Sequence, residues 1–250
     1  MELRDRVVIV TGGARGIGLA IARAVCAAGG CAVIADRAGA EAAAGTLRAA
    51  GHAAEAATLD VTDSAAVDAL TDDVARRHGR IDGFVANAAF ANASTLLDHT
   101  DAEWRGVMAV NLDGVFYSVR AAGRHMVKAG RGSVVVISSV AGVRAVRPEV
   151  HAAYDVSKAA VAHLARVVGV EWAKSGVRVN AVGPGYTETE MLRAVGIEHP
   201  EVMARWLDDM PNGRLLQPDQ IAAVVAFLLS DASSAINAQL IMADAGYSAF

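Results

Sequence analysis

The sequence predicts an α/β fold, a doubly wound parallel sheet of about seven strands with helices on both faces. Short β-branched runs alternate with longer alanine-rich stretches, and parallel strands joined in this way require right-handed crossovers. Val134–Ile137 is apolar at every position, which is typical of a strand buried on both faces. The chain has 250 residues, of which 54% are hydrophobic, enough for one large core but short for two domains.

The alternation locates each element. Strands are predicted at Val7–Val10, Cys31–Ala35, Ala53–Leu59, Gly83–Ala86, Ser133–Ser138, Val177–Ala181 and Gln239–Met242. Helices are predicted at Gly16–Ala28, Ala40–Ala50, Ser64–His78, Ala102–Lys128, Ala152–Lys174 and Pro218–Ser230. Residues 184–213 interrupt this pattern with two short helical candidates. We therefore expect one domain, residues 1–250, with a substrate-binding insertion around residues 186–212.

Composition and charge exclude several classes of partner. A net charge of -4 offers no basic surface for nucleic acid. No stretch approaches the ~18 apolar residues of a membrane span, and the charged N-terminus has no apolar leader region, so we expect a cytoplasmic protein that does not contact membranes. Cys26 and Cys31 are predicted to be apolar fillers, not a disulfide. The seven histidines show no metal-ligand spacing, so no catalytic metal is predicted.

A glycine-rich turn follows the first predicted strand. Residues 11–18 read Thr-Gly-Gly-Ala-Arg-Gly-Ile-Gly and lead into a helix. The glycines let the backbone approach a pyrophosphate, and the helix presents free N–H groups and its positive dipole end to that anion. The predicted contacts are Gly12, Arg15, Gly16, Ile17 and Gly18.

Asp36 ends the second predicted strand. A carboxylate at that place accepts hydrogen bonds from the adenosine ribose and repels a 2′-phosphate, which favours NAD over NADP. Arg15 and Arg37 are the contrary signal, since either guanidinium is able to pair with such a phosphate. NAD is predicted because a neighbouring arginine is free to turn into solvent, and Arg37 is kept as a cofactor contact.

Tyr154 and Lys158 have the i, i+4 spacing that places two side chains on one face of a helix. An ammonium close to a phenol lowers the pKa of the phenol, as an acid/base for an alcohol proton requires. Ser138 and Ser139 end the fifth predicted strand, at the edge where ligands bind in open α/β sheets. A serine hydroxyl at this edge holds and polarises a substrate oxygen.

Taken together, these motifs resemble those of the short-chain dehydrogenases/reductases over essentially the whole chain. The residues that carry the resemblance are Thr11–Gly18, Asp60-Val61, Asn87-Ala88, Asn111, Ser139, Tyr154, Lys158 and Pro184-Gly185. The resemblance implies a Rossmann-like fold, a nicotinamide cofactor, and interconversion of a secondary alcohol and a ketone.

The resemblance also implies a role for each matching residue. Tyr154 is the implied acid/base, Lys158 lowers its pKa and binds the nicotinamide ribose, and Ser139 polarises the substrate oxygen in preference to Ser138. Asn111 is implied to hold a water in a proton relay beyond Lys158. The other implied cofactor contacts are Asp60 and Val61 at the adenine, Asn87, Ala88 and Ala89 beside the cofactor, and Pro184, Gly185, Thr187 and Thr189 around the carboxamide.

Three positions depart from the family pattern. Ala89 stands where a glycine is usual, Ala245 does the same near the C-terminus, and the interval from Ser139 to Tyr154 is longer than the commonest one. None of these changes removes a reacting group. We expect a weaker grip on the cofactor from the first and a reshaped substrate pocket from the third.

The loop 144–151 and the insertion are expected to form the substrate walls. Substrate contacts are predicted at Ser139, His151, Tyr154, Tyr186 and Trp206, with Glu149 in the same loop. Polar groups such as His151 and Glu149 suit the hydroxyls of a polyol, whereas Trp206 suits an apolar body. Arg147-Pro148, Trp104–Phe116 and Trp206–Asp208 also resemble the bacterial sugar-alcohol dehydrogenases of this family.

Three functional hypotheses follow. The first is an NAD-dependent dehydrogenase of a secondary alcohol, most simply a polyol or sugar derivative. The second is an NADPH-dependent ketone or 3-oxoacyl reductase, which Asp36 argues against. The third is a nucleotide-sensing protein without turnover, which the presence of all the reacting groups argues against. The resemblance also implies a homotetramer with D2 symmetry, built by the two longest helices and the apolar tail ending at Phe250.

Overall fold

The computed structural model describes residues 2–249, which form one parallel sheet with helices on both of its faces. Its strands are β1 (Val7–Thr11), β2 (Cys31–Asp36), β3 (Ala54–Thr58), β4 (Gly83–Ala86), β5 (Gly132–Ile137), β6 (Val177–Pro184) and β7 (Leu240–Ala243). They lie in the order β3-β2-β1-β4-β5-β6-β7. The predicted fold class is confirmed, and the strands differ from their predicted bounds mainly in β6, which is longer at its carboxyl end.

Helices connect the strands. They are α1 (Gly16–Ala27), α2 (Ala40–Ala49), α3 (Ser64–His78), α4 (Asp101–Met108), α5 (Gly114–Ala129), α6 (Ala152–Trp172), α7 (Glu190–Glu198), α8 (Pro200–Asp209) and α9 (Pro218–Leu229). Helices α1, α2 and α9 pack on one face of the sheet in a core that includes Ile21, Leu47 and Val225. Helices α3, α5 and α6 pack on the other face. Strands buried on both faces explain the continuous apolar runs in the sequence.

One long helix was predicted as a single unbroken element, and this prediction is wrong. The stretch Ala102–Lys128 divides into α4, a π-helical segment at Ala109–Asp113, and α5. Thr100 starts α4 with a reciprocal capping box to Glu103. A π turn holds one residue more than an α turn, so it rotates the side chains that follow and often occurs at functional sites. Here it carries Asn111, which is fully buried.

The order of the strands defines where a ligand binds. Successive crossovers run from β1 outward to β3, and the chain then returns to build β4 to β7 on the other side of β1. The switch point between β1 and β4 leaves a crevice at the carboxyl ends of the strands. Helices α7 and α8, the two short helices expected in the insertion, follow β6 at this same edge.

Three further sequence expectations concern membrane spans, the cysteines and the C-terminal tail. No helix among residues 2–249 is long and apolar enough to cross a membrane. Cys26 and Cys31 are both free, as predicted. The apolar tail expected to form a subunit contact ends at Phe250, which lies outside the described residues.

Candidate active site

The glycine turn between β1 and α1 is closed by its neighbours. The Asn87 amide nitrogen donates to the carbonyls of Thr11 and Gly12, each at 3.0 Å. Gly12 has a φ of +62°, and a Cβ built on Gly18 stands 2.1 Å from the Gly12 carbonyl oxygen. Only glycine therefore fits at both places. The helix N-terminus is left open for an anion, which is the cradle that a pyrophosphate requires.

Two carboxylates extend this edge along the neighbouring strands. Asp36 ends β2, and its Oδ2 accepts a hydrogen bond from the Ala14 N–H at 3.1 Å. Asp60 follows β3 and accepts hydrogen bonds from both the backbone N–H and the hydroxyl of Thr62, at 2.9 and 2.7 Å. These bonds lower the pKa of Asp60. Both carboxylates are thus held in place by hydrogen bonds at the carboxyl ends of their strands.

A cavity of about 720 Å³, here called the cofactor cleft, lies over the turn. It brings together most of the predicted cofactor residues, namely Gly12, Arg15, Gly16, Ile17, Gly18, Asp36, Arg37, Asp60, Val61, Asn87, Ala88, Ala89 and Thr189. Backbone donors and small side chains near the turn suit phosphates, and the two carboxylates suit ribose hydroxyls. The lining of this cleft therefore fits an adenine dinucleotide.

A second cavity of about 730 Å³, the reaction cavity, adjoins the cleft. All five predicted substrate residues line it, namely Ser139, His151, Tyr154, Tyr186 and Trp206. Pro184, Gly185 and Thr187, which were expected to contact the cofactor, line this cavity too. So does Lys158, which was expected to serve both catalysis and cofactor binding. Five residues line both cavities, namely Ile17, Asn87, Ala89, Phe90 and Thr189. The two cavities are therefore continuous along the carboxyl edge of the sheet.

The two serines after β5 have different surroundings. The Ser138 hydroxyl is buried and donates to the Lys158 carbonyl at 2.7 Å. The Ser139 hydroxyl accepts from the Ala141 N–H at 3.1 Å and hydrogen-bonds the Tyr154 side chain. Because Ser138 is engaged with the backbone of α6, Ser139 is the hydroxyl that faces Tyr154. The geometry thus supports the choice of Ser139 as the substrate contact.

The electrostatics of Tyr154 and Lys158 differ from the expectation. Burial raises the pKa of Tyr154, although the hydrogen bond with Ser139 acts in the opposite direction. Burial also lowers the pKa of Lys158 to about 8. The Lys158 ammonium donates to the Ile137 carbonyl at 2.8 Å and lies 5.5 Å from the centre of the Tyr154 ring. The expected lowering of the Tyr154 pKa is absent in this structure because burial favours the neutral form of both groups.

The Asn111 side chain is held by three hydrogen bonds to protein groups, and its expected role in a water relay stays a prediction. Its Oδ1 accepts from the Phe90 N–H at 3.0 Å, while its Nδ2 donates to the Phe90 carbonyl at 2.9 Å and to the Ser157 hydroxyl at 3.1 Å. The Ser157 hydroxyl in turn donates to the Tyr154 carbonyl at 2.7 Å. Both amide donors are therefore engaged. Asn111 ties the loop after β4 to the first turn of α6, which carries Tyr154.

The far wall of the reaction cavity is built around Glu149. Its Oε1 accepts from the Trp206 indole N–H at 2.5 Å, and its Oε2 accepts from the Tyr186 hydroxyl at 3.1 Å. The Tyr186 and Trp206 rings stack at 5.1 Å between centroids. Burial and the charge of Glu149 both raise the pKa of Tyr186. Tyr186 is therefore a neutral donor that holds a charged carboxylate.

His151 lies beside Tyr154 and lines the reaction cavity together with Glu149. Its ring centroid is 5.2 Å from that of Tyr154, and its Nδ1 is 2.7 Å from Asp155 Oδ1. Burial alone lowers the pKa of His151, but the Asp155 and Glu149 carboxylates outweigh it and raise the pKa above its usual value. His151 is thus a candidate donor to a substrate oxygen.

Several apolar residues of the reaction cavity were not expected. Phe90, from the loop after β4, forms one side. Leu192 and Val195 of α7 and Val202 of α8 form another. Their helical spacing was visible in the insertion, but the sequence does not show towards which surface the two short helices turn.

Cys31, Glu55 and His78 bring three potential ligand atoms within 4.8 Å of one another. They lie where β2 and β3 begin, at the edge of the sheet opposite the two cavities. The Glu55 carboxylate there is already paired with the Arg77 guanidinium. This group has no part in the reaction cavity, and the expected lack of a catalytic metal stays a prediction.

Known proteins are similar to this chain in sequence and in fold. A family model described as enoyl-(acyl carrier protein) reductase matches residues 12–248. Galactitol 2-dehydrogenase of Rhizobium johnstonii is 42% identical over 96% of this chain and 93% of its own length. The chain belongs to the short-chain dehydrogenase/reductase family. It is an oxidoreductase that acts on a CH–OH group and interconverts a secondary alcohol and a ketone.

Other members of the family extend the comparison. Cis-4-hydroxycyclohexanecarboxylate dehydrogenase of Sinomonas cyclohexanicum is also 42% identical, over 98% of this chain and 97% of its own. The solved structure of gox2181 has a TM-score of 0.97 at 40% identity and covers 100% of this chain and 98% of that one. A gluconate 5-dehydrogenase from Burkholderia cenocepacia, solved with NADP and tartrate, has a TM-score of 0.92 at 36% identity, covering 100% and 97%. The predicted family and enzyme class are confirmed, and the cofactor is NAD or NADP.

Proposed function

We propose that this short-chain dehydrogenase/reductase oxidises a secondary alcohol of a polyol or sugar derivative with NAD. The observation that carries the proposal is the reaction cavity, in which the hydroxyls of Ser139 and Tyr154 meet and face polar groups on the far wall. Related proteins named galactitol 2-dehydrogenase and D-threitol dehydrogenase support the substrate class. The insertion, residues 186–212, contributes Tyr186 and Trp206 and acts as the substrate-binding segment.

The residues of the chain handle the proton. The Tyr154 oxygen removes the proton of the alcohol during oxidation and returns it during reduction. The Ser139 hydroxyl holds the same substrate oxygen and steadies the charge that develops on it. Lys158 is buried beside the Tyr154 ring, and its ammonium, when protonated, opposes the effect of burial and favours the phenolate. Asn111 positions the helix turn that carries Tyr154. When bound, the nicotinamide supplies the acceptor for the hydride of the carbinol carbon.

The preference for NAD rests on Asp36. Its carboxylate is held by the Ala14 N–H and lines the cofactor cleft. An anion fixed at the end of β2 accepts ribose hydroxyls and repels a 2′-phosphate. Arg37 and Arg15 line the same cleft and act in the opposite direction, because a guanidinium is able to pair with a 2′-phosphate. The related gluconate 5-dehydrogenase was solved with NADP.

Replacing Tyr154 by Phe tests the proposed chemistry. We expect Tyr154→Phe to lower kcat for polyol oxidation by about 10² to 10⁴-fold, because the acid/base is lost while the ring remains. Binding of NAD, measured by calorimetry, stays within a factor of about two since the phenol handles the substrate. Tyr117→Phe, on α5 outside both cavities, is the matched control. Unchanged turnover in Tyr154→Phe would remove the acid/base assignment.

Replacing Asp36 by Ala tests the cofactor. The ratio of kcat/KM with NAD to kcat/KM with NADP should fall at least about 10-fold, because the repulsion of a 2′-phosphate disappears. Arg37→Ala should move the same ratio in the opposite direction. If neither variant shifts the ratio, the cofactor preference does not reside at the end of β2.

We also propose a homotetramer with D2 symmetry. Phe116 and Val127 on α5, and Val156, Val167 and Val170 on α6, are large apolar residues exposed to solvent on adjacent helices. Such a concentration of exposed apolar side chains marks a surface for association. The two helices are the ones that sequence reasoning assigned to the subunit contact.

A further inference from the structure

We propose that Glu149 makes this enzyme selective for uncharged polyhydroxy or hydroxymethyl substrates over the corresponding hydroxy acids. The inference rests on the proposed function and assigns a substrate class to the far wall of the reaction cavity. It concerns the part of the substrate that meets Glu149, as distinct from the oxygen that Ser139 and Tyr154 hold.

Glu149 presents acceptor capacity to the cavity. A carboxylate has about four lone-pair positions on its two oxygens. Trp206 occupies one position on Oε1, and Tyr186 occupies one on Oε2. Neither partner carries a positive charge, so both hold the carboxylate in place without neutralising it. The remaining lone pairs accept hydrogen bonds from substrate hydroxyls.

Within the described residues, Glu149 also has no lysine or arginine partner in a salt bridge. Among residues 2–249, no salt bridge joins it to a lysine, arginine or histidine. Its charge is instead felt by His151, whose pKa it helps to raise, and by Tyr186. A substrate carboxylate placed against this wall would meet a fixed charge of the same sign, which costs several kcal/mol in a desolvated site.

The cavity offers no arginine for an acid to bind. Its lining among the described residues contains the acidic side chains Glu149 and Glu198, the histidines His151 and His199, and one lysine, Lys158. The ammonium of Lys158 is buried beside Tyr154 and donates to a backbone carbonyl. Recognition of a carboxylate ordinarily uses the fork of an arginine. Polar groups on the far wall therefore favour hydroxyls.

The two arginines of the same loop are turned elsewhere. The Arg144 guanidinium donates to the Tyr247 carbonyl at 2.6 Å and lies 4.7 Å from the Tyr247 ring. Arg147 is exposed, and neither arginine belongs to the lining of the reaction cavity. The loop therefore presents its carboxylate, and neither of its two arginines, to the reaction cavity.

Glu149→Gln is the decisive variant because it removes the charge and keeps the shape. The glutamine carbonyl oxygen still accepts from Trp206 Nε1, and its amide donates to the Tyr186 oxygen, so the wall keeps its two hydrogen bonds. The probes are two matched pairs, galactitol with galactonate and cis-4-(hydroxymethyl)cyclohexanol with cis-4-hydroxycyclohexanecarboxylate. Each pair exchanges a CH₂OH group for a carboxylate at the end remote from a secondary alcohol.

For the native enzyme we expect kcat/KM to favour the neutral member of a pair by at least about 30-fold. In Glu149→Gln this ratio should fall to about 3-fold or less, mainly because the acid improves. Glu198→Gln, which removes an exposed carboxylate from the same cavity, is the control and should leave the ratio within a factor of about two.

The outcomes separate this inference from the proposed function. Turnover of neither member of either pair, with NAD or NADP, counts against the proposed function itself. Equal kcat/KM for the neutral and acidic members in the native enzyme overturns the role of Glu149 alone. A ratio that stays above about 30-fold in Glu149→Gln also overturns it, because the discrimination then comes from another group.

Discussion

Lys158 shows how one buried charge affects both chemistry and stability. Burial lowers its pKa from 10.5 to about 8. Between these values the unfolded chain holds a proton that the native protein releases, so native stability rises with pH across this window. Below about pH 8 both states are protonated, and the native state bears the full cost of the buried ammonium, about 3 kcal/mol.

Lys158→Met makes this cost measurable. At pH 7 the free energy of unfolding of the variant should exceed that of the native protein by up to about 3 kcal/mol. This difference should vanish towards pH 10.5. Lost activity is expected at every pH. Urea denaturation of both proteins between pH 7 and 10.5 is the measurement, with Lys128→Met, an exposed lysine of α5, as control. A stability difference that does not change with pH would show that burial does not govern Lys158.

The reacting residues were predictable from local sequence because their geometry is local. Tyr154 and Lys158 are joined by one helical turn, and Ser139 lies two residues after a strand that is recognisable from its apolar run. Glu149 is different, since its partner Trp206 is 57 positions away in the chain. The sequence shows that both residues belong to the cavity walls, but not that one holds the other. Similarly, the burial that raises the Tyr154 pKa depends on packing from several elements.

At the scale of elements, close helix packing depends on glycine. A Cβ built on Gly123 of α5 stands 2.2 Å from the Trp172 ring at the end of α6. A Cβ on Gly45 of α2 meets nothing closer than an Arg48 side-chain nitrogen at 3.8 Å. Both glycines lie within helices, so they differ in surroundings and not in backbone conformation.

The two glycines therefore predict opposite effects of the same substitution. Gly123→Ala should lower the free energy of unfolding by about 2 kcal/mol, since the Trp172 ring must move. Gly45→Ala should raise it by up to about 1 kcal/mol, since alanine has the higher helix propensity. Urea denaturation of both variants is the check. Equal effects of the two substitutions would mean that the Gly123–Trp172 contact does not constrain α5 and α6.

The break between α4 and α5 marks the limit of periodicity as a guide to elements. A single π turn shifts the helical face by a fraction of a turn, and the apolar pattern on both sides still appears helical. The long helix was thus predicted without its interruption. The π segment carries Asn111, whose hydrogen bonds reach Phe90 in a distant loop and Ser157 in α6, and local periodicity does not record such tertiary contacts.

At the scale of the whole molecule, the exposed apolar face of α5 and α6 predicts assembly. Val167 and Val170 of α6 are 50% and 69% exposed. Exposure of neighbouring apolar side chains to water is unfavourable, and association would bury them. Sedimentation of the native protein should give a tetramer. Val167→Glu combined with Val170→Glu should give smaller species, because unpaired carboxylates would be buried at the contact. Ala49→Glu, exposed on α2, should leave the mass unchanged. A native monomer at working concentration would refute the assembly.

The fold was predictable at this scale because the strands of a parallel sheet that is buried on both faces are apolar at consecutive positions in the sequence. The alternation of those runs with helices sets the class of fold and the edge at which a ligand binds. The shape of the substrate end was not predictable. It is set by how α7 and α8 fold back over β6, and by contacts such as that of Glu149 with Tyr186, which no local pattern records.

The continuity of the two cavities has a kinetic consequence. Asn87, Ala89 and Phe90 are among the residues that face both the cofactor cleft and the reaction cavity, with no partition between the two spaces. A bound dinucleotide thus becomes part of the surface that an alcohol meets, and an alcohol arriving first finds that surface incomplete. We therefore expect an ordered turnover, in which the dinucleotide enters first and leaves last.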